Sequence, residues 1–115
     1  MTRDCVFCKI VAGTIPSQTL YRDEHVTAFH DVNPQAPVHV LIVPNQHVES
    51  LATAGPEDTT ILGHILAIAP RIAAETGIAN SGYRVVLNTG RDAGMAVYHL
   101  HAHVLGGRQM AWPPG

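Results

Sequence analysis

Residues 98–107 read Tyr98-His-Leu-His-Ala-His-Val-Leu-Gly-Gly107, with a histidine at every second position. Side chains of a β-strand point alternately to its two faces, so this stretch predicts a strand from His99 to Leu105. Three imidazoles would share one face and three apolar side chains the other: His99, His101 and His103 against Leu100, Ala102 and Val104. The apolar face can pack against a helix. Imidazoles spaced about 7 Å apart make a poor core and suit phosphate or metal binding.

The rest of the chain predicts a sheet that this strand can join. A short helix is expected over Val6–Ala12, ending at Gly13. β-branched and aromatic runs predict four further strands, at 19–21, 25–30, 38–43 and 83–87. A second helix should begin at Pro56 and end at Gly77, with a bend or break at Pro70. The order predicts an α+β fold, an antiparallel sheet with helices packed on one face.

Composition excludes several classes of function. The chain has 115 residues, 46% apolar and 14% charged, which predicts a single folded domain over residues 1–115. A formal net charge of -2 and the lack of a Lys/Arg run argue against nucleic-acid and membrane partners. Neither a secretory signal nor a membrane span is apparent, so we expect a cytoplasmic protein.

Within the histidine strand, His101 is the candidate nucleophile. A neutral imidazole can take up a phosphoryl group covalently, which divides a difficult displacement into two easier steps. The neighbouring histidines can hold the phosphate or fix the tautomer of the central ring. Upstream, Asn88 and the loop glycines Gly90 and Gly94 can provide an amide donor and close backbone approach to an anion. The alternative is a solvated strand with incidental histidines, which strict alternation over three positions disfavours.

Two further segments accompany the alternating histidines: Phe29-His-Asp-Val-Asn-Pro-Gln-Ala-Pro37 and Gly106-Gly-Arg-Gln-Met-Ala-Trp-Pro-Pro-Gly115. With His99-Leu-His-Ala-His-Val-Leu105, they make the chain resemble the histidine triad superfamily. More specifically, it is similar to that superfamily's Hint branch of nucleotide-binding hydrolases. The resemblance runs from about Cys5 to the C-terminus.

The resemblance implies a five-stranded antiparallel sheet that becomes ten-stranded across a homodimer. It also implies attack on the α-phosphorus of a nucleotide and binding of a purine nucleotide such as AMP or GMP. By this analogy His101 carries the nucleotidyl group, His103 contacts the α-phosphate and Asp31 accepts hydrogen bonds from the ribose hydroxyls. Other positions line the nucleotide site: Phe29 and Val32 at the base, Asn88 and Gly94 at the phosphate. Plain core packing is the alternative for Phe29 and Val32, and His39 either orients the triad or is a satisfied core histidine.

One departure from the family pattern affects the expected chemistry. The Hint branch usually has Gln-Ser where this chain has Met95-Ala96. Ala96 lacks a hydroxyl that could assist departure of an amine. The resemblance therefore implies a phosphoramidate hydrolase, with two alternatives: a nucleotide-binding module with little catalysis, or a dinucleoside polyphosphate hydrolase.

Cys5-Val-Phe-Cys8 has the spacing of half a zinc site, since two thiolates three apart can reach one tetrahedral ion. A redox pair is the alternative. Histidine triad proteins with such a pair resemble zinc binders whose remaining ligands correspond to His47 and His99 here. With four protein ligands such a zinc ion would be structural. The sequence indicates no functional role for His25, His30 or His64.

Overall fold

The computed structural model describes residues 4–115 and has an α+β architecture. Its helices are α1, Val6–Ala12, and α2, Thr59–Glu75, with α2 preceded by a 3-10 turn at Pro56–Asp58. Its five strands are β1, Thr19–Arg22; β2, Val26–His30; β3, Val38–Pro44; β4, Tyr83–Val86; and β5, Ala102–Gly106. They form one antiparallel sheet in the order β1-β2-β3-β5-β4. The predicted fold class and five-stranded sheet are therefore confirmed.

Helix α2 covers one face of the sheet. Ile65, Ile68 and Ile72 lie on one side of the helix because their spacing follows the helical repeat. They pack in one buried cluster with inward-facing residues of the central strands: Val40, Ile42, Ala102 and Val104. Burial of each isoleucine side chain contributes about 1.5–3 kcal/mol to folding. This packing holds β3 and β5 side by side.

Helix α1 lies against the opposite face. Alternation along β2 and β3 turns Phe29, Leu41 and Val43 away from α2, and Phe7 of α1 packs against them. The prediction that the helices pack on one face of the sheet therefore holds for α2 but not for α1, which packs on the other face. The apolar side chains of the second face provide α1 with its own packing surface. Both sides of the sheet are consequently covered near its centre.

The ends of the helices follow local sequence signals. Gly13 ends α1 with φ 80°, a left-handed conformation that glycine adopts without steric cost. Helix α2 runs unbroken through Pro70, so the break considered from the sequence does not occur. Pro70 and Leu66, whose carbonyl loses its helical partner, are both exposed. Water can therefore satisfy that carbonyl. No helix within residues 4–115 is long and apolar enough to cross a membrane.

The last strand begins later than predicted. His99 and His101 precede β5 rather than belonging to it. The amide of Leu100 donates to the carbonyl of Val48 at 2.7 Å, and the carbonyl of His99 accepts from the ring of His101. These backbone groups are therefore not available for pairing with β3. Side-chain alternation nevertheless persists, because Leu100 packs in the α2 cluster while the His99 ring lies beside Phe7.

The hairpin between β1 and β2 is organised by Asp23. Its carboxylate accepts from the amides of His25 and Val26, from the Tyr21 hydroxyl at 2.7 Å and from Nε2 of His64 at 2.6 Å. Burial alone would raise the pKa of Asp23, but these hydrogen bonds outweigh it and hold the pKa well below its usual range. His64, which the sequence left without a role, thereby links α2 to the hairpin.

Candidate functional site

The ring of His101 is held by a backbone carbonyl. Its Nδ1 lies 2.7 Å from the carbonyl oxygen of His99. Because a carbonyl only accepts, Nδ1 must carry the proton and donate it. In the neutral ring Nε2 then has a free lone pair, which is the state that a nucleophilic imidazole requires.

A relay of hydrogen bonds gives His103 the opposite tautomer. The backbone N–H of Gln35 donates to Nδ1 of His39 at 3.0 Å, so the His39 proton resides on Nε2. That Nε2 lies 2.9 Å from Nδ1 of His103 and donates to it. The neutral His103 ring must therefore carry its own proton on Nε2. This atom is buried and has no hydrogen-bond partner among the residues described.

Burial keeps the relay uncharged. It lowers the pKa of His103 to about 4, with smaller contributions in the same direction from His101 and His39 and an opposing one from Asp31. Burial also lowers the pKa of His39. At neutral pH, His103 consequently offers one neutral N–H donor. An unpaired buried donor costs about 1–3 kcal/mol, a cost that an acceptor on a ligand would relieve.

The two rings face a cavity of about 480 Å³ on the α1 side of the sheet. This volume lies within the range of small-molecule sites. The lining includes all seven residues predicted to contact a nucleotide: Phe29, Asp31, Val32, Asn88, Gly94, His101 and His103. The remaining lining is mostly apolar and comes from α1, the segment after it, strands β2 and β3, and the loop before the histidines. The structure thus brings together residues from five separate parts of the chain.

Two of the cavity residues, Phe29 and Val32, differ in burial. Phe29 is buried against Phe7, with ring centroids 5.5 Å apart, and its edge also reaches the cavity. Val32 is 98% exposed at the rim, so the core interpretation is excluded for it. Asp31 lies between them with one carboxylate oxygen accepting from the Asn33 amide at 2.8 Å. Its second oxygen is 3.5 Å from Nε2 of His39, leaving acceptor capacity toward the cavity.

The loop before the histidines contributes Asn88 and Gly94 to the cavity lining. Asn88 follows β4, and a short 3-10 turn at Arg91–Ala93 ends at Gly94. Gly94 has φ 81°, which a residue with a side chain rarely adopts. Met95 is buried directly after it, while Ala96 lines the cavity. The residue at which this chain departs from the Gln-Ser pattern therefore borders the same cavity as His101 and His103.

Four side chains converge in a second cluster behind His101. Cys5, Cys8, His47 and His99 each present one ligand atom, all within 4.8 Å of one another. Nδ1 of His99 lies 3.3 Å from Sγ of Cys5, 3.4 Å from Sγ of Cys8 and 3.2 Å from Nδ1 of His47. Nε2 of His99 donates to the carbonyl of Pro44 at 2.8 Å, so in the neutral ring Nδ1 has a lone pair and no proton.

This geometry fits a tetrahedral cation. Zinc bond lengths to sulfur and nitrogen give ligand-to-ligand edges of about 3.3–3.6 Å in a tetrahedron, close to the separations observed. Burial, reinforced by Cys5, raises the pKa of Cys8 to about 11, and a bound cation would reverse this preference for the thiol. The Pro44 carbonyl orients the His99 ring, as outer partners of metal-binding histidines commonly do.

A second group of potential ligands does not fit a metal. Asp31, His39 and His103 also have ligand atoms within 4.8 Å of one another. The Gln35 amide, however, fixes the proton of neutral His39 on Nε2, the atom that would have to bind the ion. The hydrogen bond from Nε2 of His39 to Nδ1 of His103 explains why these two rings lie so close together.

The histidines are more buried than the sequence suggested. His99 is fully buried and His101 is 8% exposed. A backbone carbonyl accepts from one nitrogen of each ring, and the cysteine cluster surrounds the second nitrogen of His99, which makes burial tolerable. His30, which had no predicted role, also lines the cavity, as does Phe7. The only sequence signal for Phe7 was its position between the two cysteines.

Comparison with known proteins identifies several relatives. The family described as HIT domain matches residues 12–110. The purine nucleoside phosphoramidase of Escherichia coli K12 is 44% identical over 110 residues, covering 96% of this chain and 92% of that protein. A HIT family hydrolase from Legionella pneumophila Philadelphia 1 superposes with a TM-score of 0.94 at 44% identity, covering 96% and 99% of the two chains. A zinc-bound histidine triad family protein from Mycobacterium smegmatis gives a TM-score of 0.82 at 32% identity, covering 94% and 78%.

The hydrogen bonds predict opposite tautomers for two neighbouring histidines. At pH 7, ¹⁵N-detected NMR should find the proton on Nδ1 of His101 and on Nε2 of His103. His103 should remain neutral until the pH falls to about 4. Because its folded pKa is depressed, the unfolded chain takes up this proton first, and stability should fall as the pH drops below about 6.5. A His103 ring that titrates near pH 6.5 would contradict the relay.

Proposed function

This chain belongs to the HIT domain family, and on that premise we propose that it hydrolyses purine nucleoside 5′-phosphoramidates and related nucleotidyl compounds. The observation that carries the proposal is the pairing of two rings in one cavity. His101 offers a lone pair on Nε2, and His103 offers a buried N–H without a protein partner among the described residues. The E. coli relative named as a purine nucleoside phosphoramidase supports the reaction class.

The proposed reaction has two steps at the α-phosphorus. Nε2 of His101 attacks, the bond from phosphorus to Nε2 forms, and the bond from phosphorus to the amine breaks. The amine takes up a proton from solvent as it leaves. Water then attacks the same phosphorus, the bond to Nε2 breaks, and the nucleoside monophosphate departs with the imidazole regenerated. Two easier displacements replace one difficult displacement.

The cavity provides distinct surroundings for each part of the nucleotide. Apolar walls that include Phe29 would enclose the purine of AMP or GMP, with Val32 at the rim. The free carboxylate oxygen of Asp31 would accept from the ribose hydroxyls. At the other end, the N–H of His103 would donate to a phosphate oxygen, where developing charge is stabilised in a site of low dielectric. Asn88 and Gly94 would border the same phosphate.

The test is replacement of the nucleophile. With adenosine 5′-phosphoramidate as substrate, His101→Ala should lower kcat by on the order of 10³-fold or more. Acid-quenched wild type should show a mass increase of one adenylyl group, absent from the variant. His25→Ala, which alters a partly exposed histidine outside the cavity, is the matched control and should retain wild-type turnover. Equal turnover in His101→Ala and wild type would contradict the proposal.

Ala96 should limit departure of the amine. The side chain at this position lines the cavity but cannot donate a hydrogen bond. Ala96→Ser should therefore raise kcat for a phosphoramidate, by roughly ten-fold if the hydroxyl contributes as one general acid-base or hydrogen-bonding group. Steady-state kinetics with adenosine 5′-phosphoramidate provides the measurement. Ala96→Thr cannot replace Ala96→Ser in this test, because the methyl group of threonine adds bulk to the cavity wall. Unchanged turnover in Ala96→Ser would show that Ala96 does not limit departure of the amine.

The absence of that hydroxyl also favours a second candidate, a nucleotide-binding module with little catalysis. Such a protein would use the same cavity and would still depend on Asp31 and His103. Wild type that binds AMP, without turnover and without an adenylyl adduct, would support this candidate over the hydrolase.

We also propose that Cys5, Cys8, His47 and His99 hold a structural zinc ion. Their separations fit the tetrahedral edges, and the zinc-bound M. smegmatis relative supports the assignment. When bound, the ion would stabilise the thiolates and join α1 to the loop after β3. Protein purified without chelator should contain one zinc per chain, and its removal should lower Tm by roughly 5 °C or more. Zinc-free protein with both thiols freely titratable would refute the site.

Finally, we propose a homodimer with a ten-stranded sheet. Strand β4 pairs only with β5, so its outer backbone groups form a free edge within the described sheet. An edge of this kind can accept a second copy through antiparallel pairing. Sedimentation equilibrium should give twice the mass of the 12.3 kDa chain. A monomer mass at micromolar concentration would contradict this arrangement.

A further inference from the structure

Phe7 connects the cysteine cluster to the candidate nucleophile. It is buried in the first turn of α1, between Cys5 and Cys8. Its ring centroid lies 5.1 Å from that of His101, with the ring planes at 86°. The same ring also makes edge contacts with Phe29 at 5.5 Å and with His99 at 5.9 Å. One aromatic side chain therefore touches the proposed nucleophile, a ligand of the cluster and a wall of the cavity.

The orientation of the His101 ring depends on such neighbours. A rotation of 180° about its χ2 angle would exchange Nδ1 with a carbon and turn Nε2 away from its present direction. The hydrogen bond to the His99 carbonyl opposes this rotation, and the rings of Phe7 and His103, at 5.1 and 4.8 Å, flank the imidazole. Perpendicular aromatic contacts stabilise a pair of rings beyond the apolar area that they bury. Phe7 is therefore part of what keeps Nε2 directed at the cavity.

The position of Phe7 is in turn determined by the cysteines. Cys5 caps the N-terminus of α1, where its Sγ accepts from the amide of Cys8 at 3.4 Å. Sγ of Cys8 lies 3.4 Å from Nδ1 of His47 and from Nδ1 of His99. The helix turn that carries Phe7 is thus attached on both sides to residues of the sheet and its loops. Beyond this turn, Ile10 and Val11 are the α1 residues that pack against the same apolar cluster as Phe7. Both are only partly buried.

We propose that Phe7 is a positioning residue for His101, and that the Cys5–Cys8–His47–His99 cluster acts on the reaction through it. The cluster holds the first turn of α1, Phe7 packs against the imidazole, and the imidazole presents Nε2 in one direction. This inference rests on the proposed function for its kinetic consequence. Its geometric consequence, the order of the His101 ring, is independent of turnover.

The experiment replaces the ring of Phe7 while keeping apolar volume. Phe7→Leu, loaded with one zinc per chain, should lower kcat for adenosine 5′-phosphoramidate by on the order of ten-fold, as misplacement of a reacting group does. KM should change less than two-fold, since the cavity wall remains apolar. In ¹⁵N–¹H NMR, the Nδ1–H signal of His101 should be sharp in wild type and broadened by exchange with water in the variant. Phe7→Met, which also fills the volume flexibly, gives a second variant should Phe7→Leu not fold.

Val11→Ala is the matched control. Val11 belongs to the same helix and the same apolar cluster but does not line the cavity. It should lower Tm while leaving kcat and the His101 signal unchanged. A kcat loss in Val11→Ala equal to that in Phe7→Leu would overturn the proposal, as general loosening of α1 would then explain both.

Three other outcomes would also overturn it: a change in KM alone, loss of zinc from Phe7→Leu, or an unchanged His101 signal. The first would make Phe7 only a cavity wall, and the second would make it only part of the cluster. Wild type without turnover would refute the proposed hydrolase, while the NMR comparison would still decide the role of Phe7.

Discussion

The hydrogen bond from Nδ1 of His101 to the carbonyl of His99 is the interaction on which the candidate site depends. It fixes the tautomer of the His101 ring through a carbonyl two residues earlier in the chain. It therefore requires the backbone before β5 to leave its hydrogen-bonded pairing with β3. The side chain of the same His99 belongs to the cysteine cluster. One residue therefore serves the proposed nucleophile with its main chain and the proposed metal centre with its ring.

Strand alternation explains why these groups occur together. Leu100, Ala102 and Val104 anchor the segment in the α2 cluster, which leaves the intervening histidines on the α1 side. The sheet also brings His39 opposite this segment, since β3 pairs directly with β5 and His39 is in register with Leu105. Residues far apart in sequence thus contribute to one cavity because two central strands are neighbours.

Much of the fold was predictable from local signals. The bounds of α1, the first four strands within one residue, and the α+β class follow from periodicity, β-branched runs and Gly or Pro positions. The sequence also pointed to the residues that line the cavity and to the four members of the cysteine cluster, which do lie together; their roles remain predictions. The start of β5 was wrong because the Leu100 amide donates to the distant carbonyl of Val48 and the His99 carbonyl accepts from the ring of His101. The burial of the histidines and the relay from the Gln35 amide depend on loop geometry, which no spacing encodes.

The division of labour within His99 has an evolutionary consequence. Every amino acid has a main-chain carbonyl, whereas only a few side chains bind a metal ion. A substitution at position 99 would therefore abolish the proposed metal centre and still leave an acceptor for the ring two residues later. Loss of the two cysteines would likewise remove the proposed metal centre without removing the carbonyl that orients the proposed nucleophile.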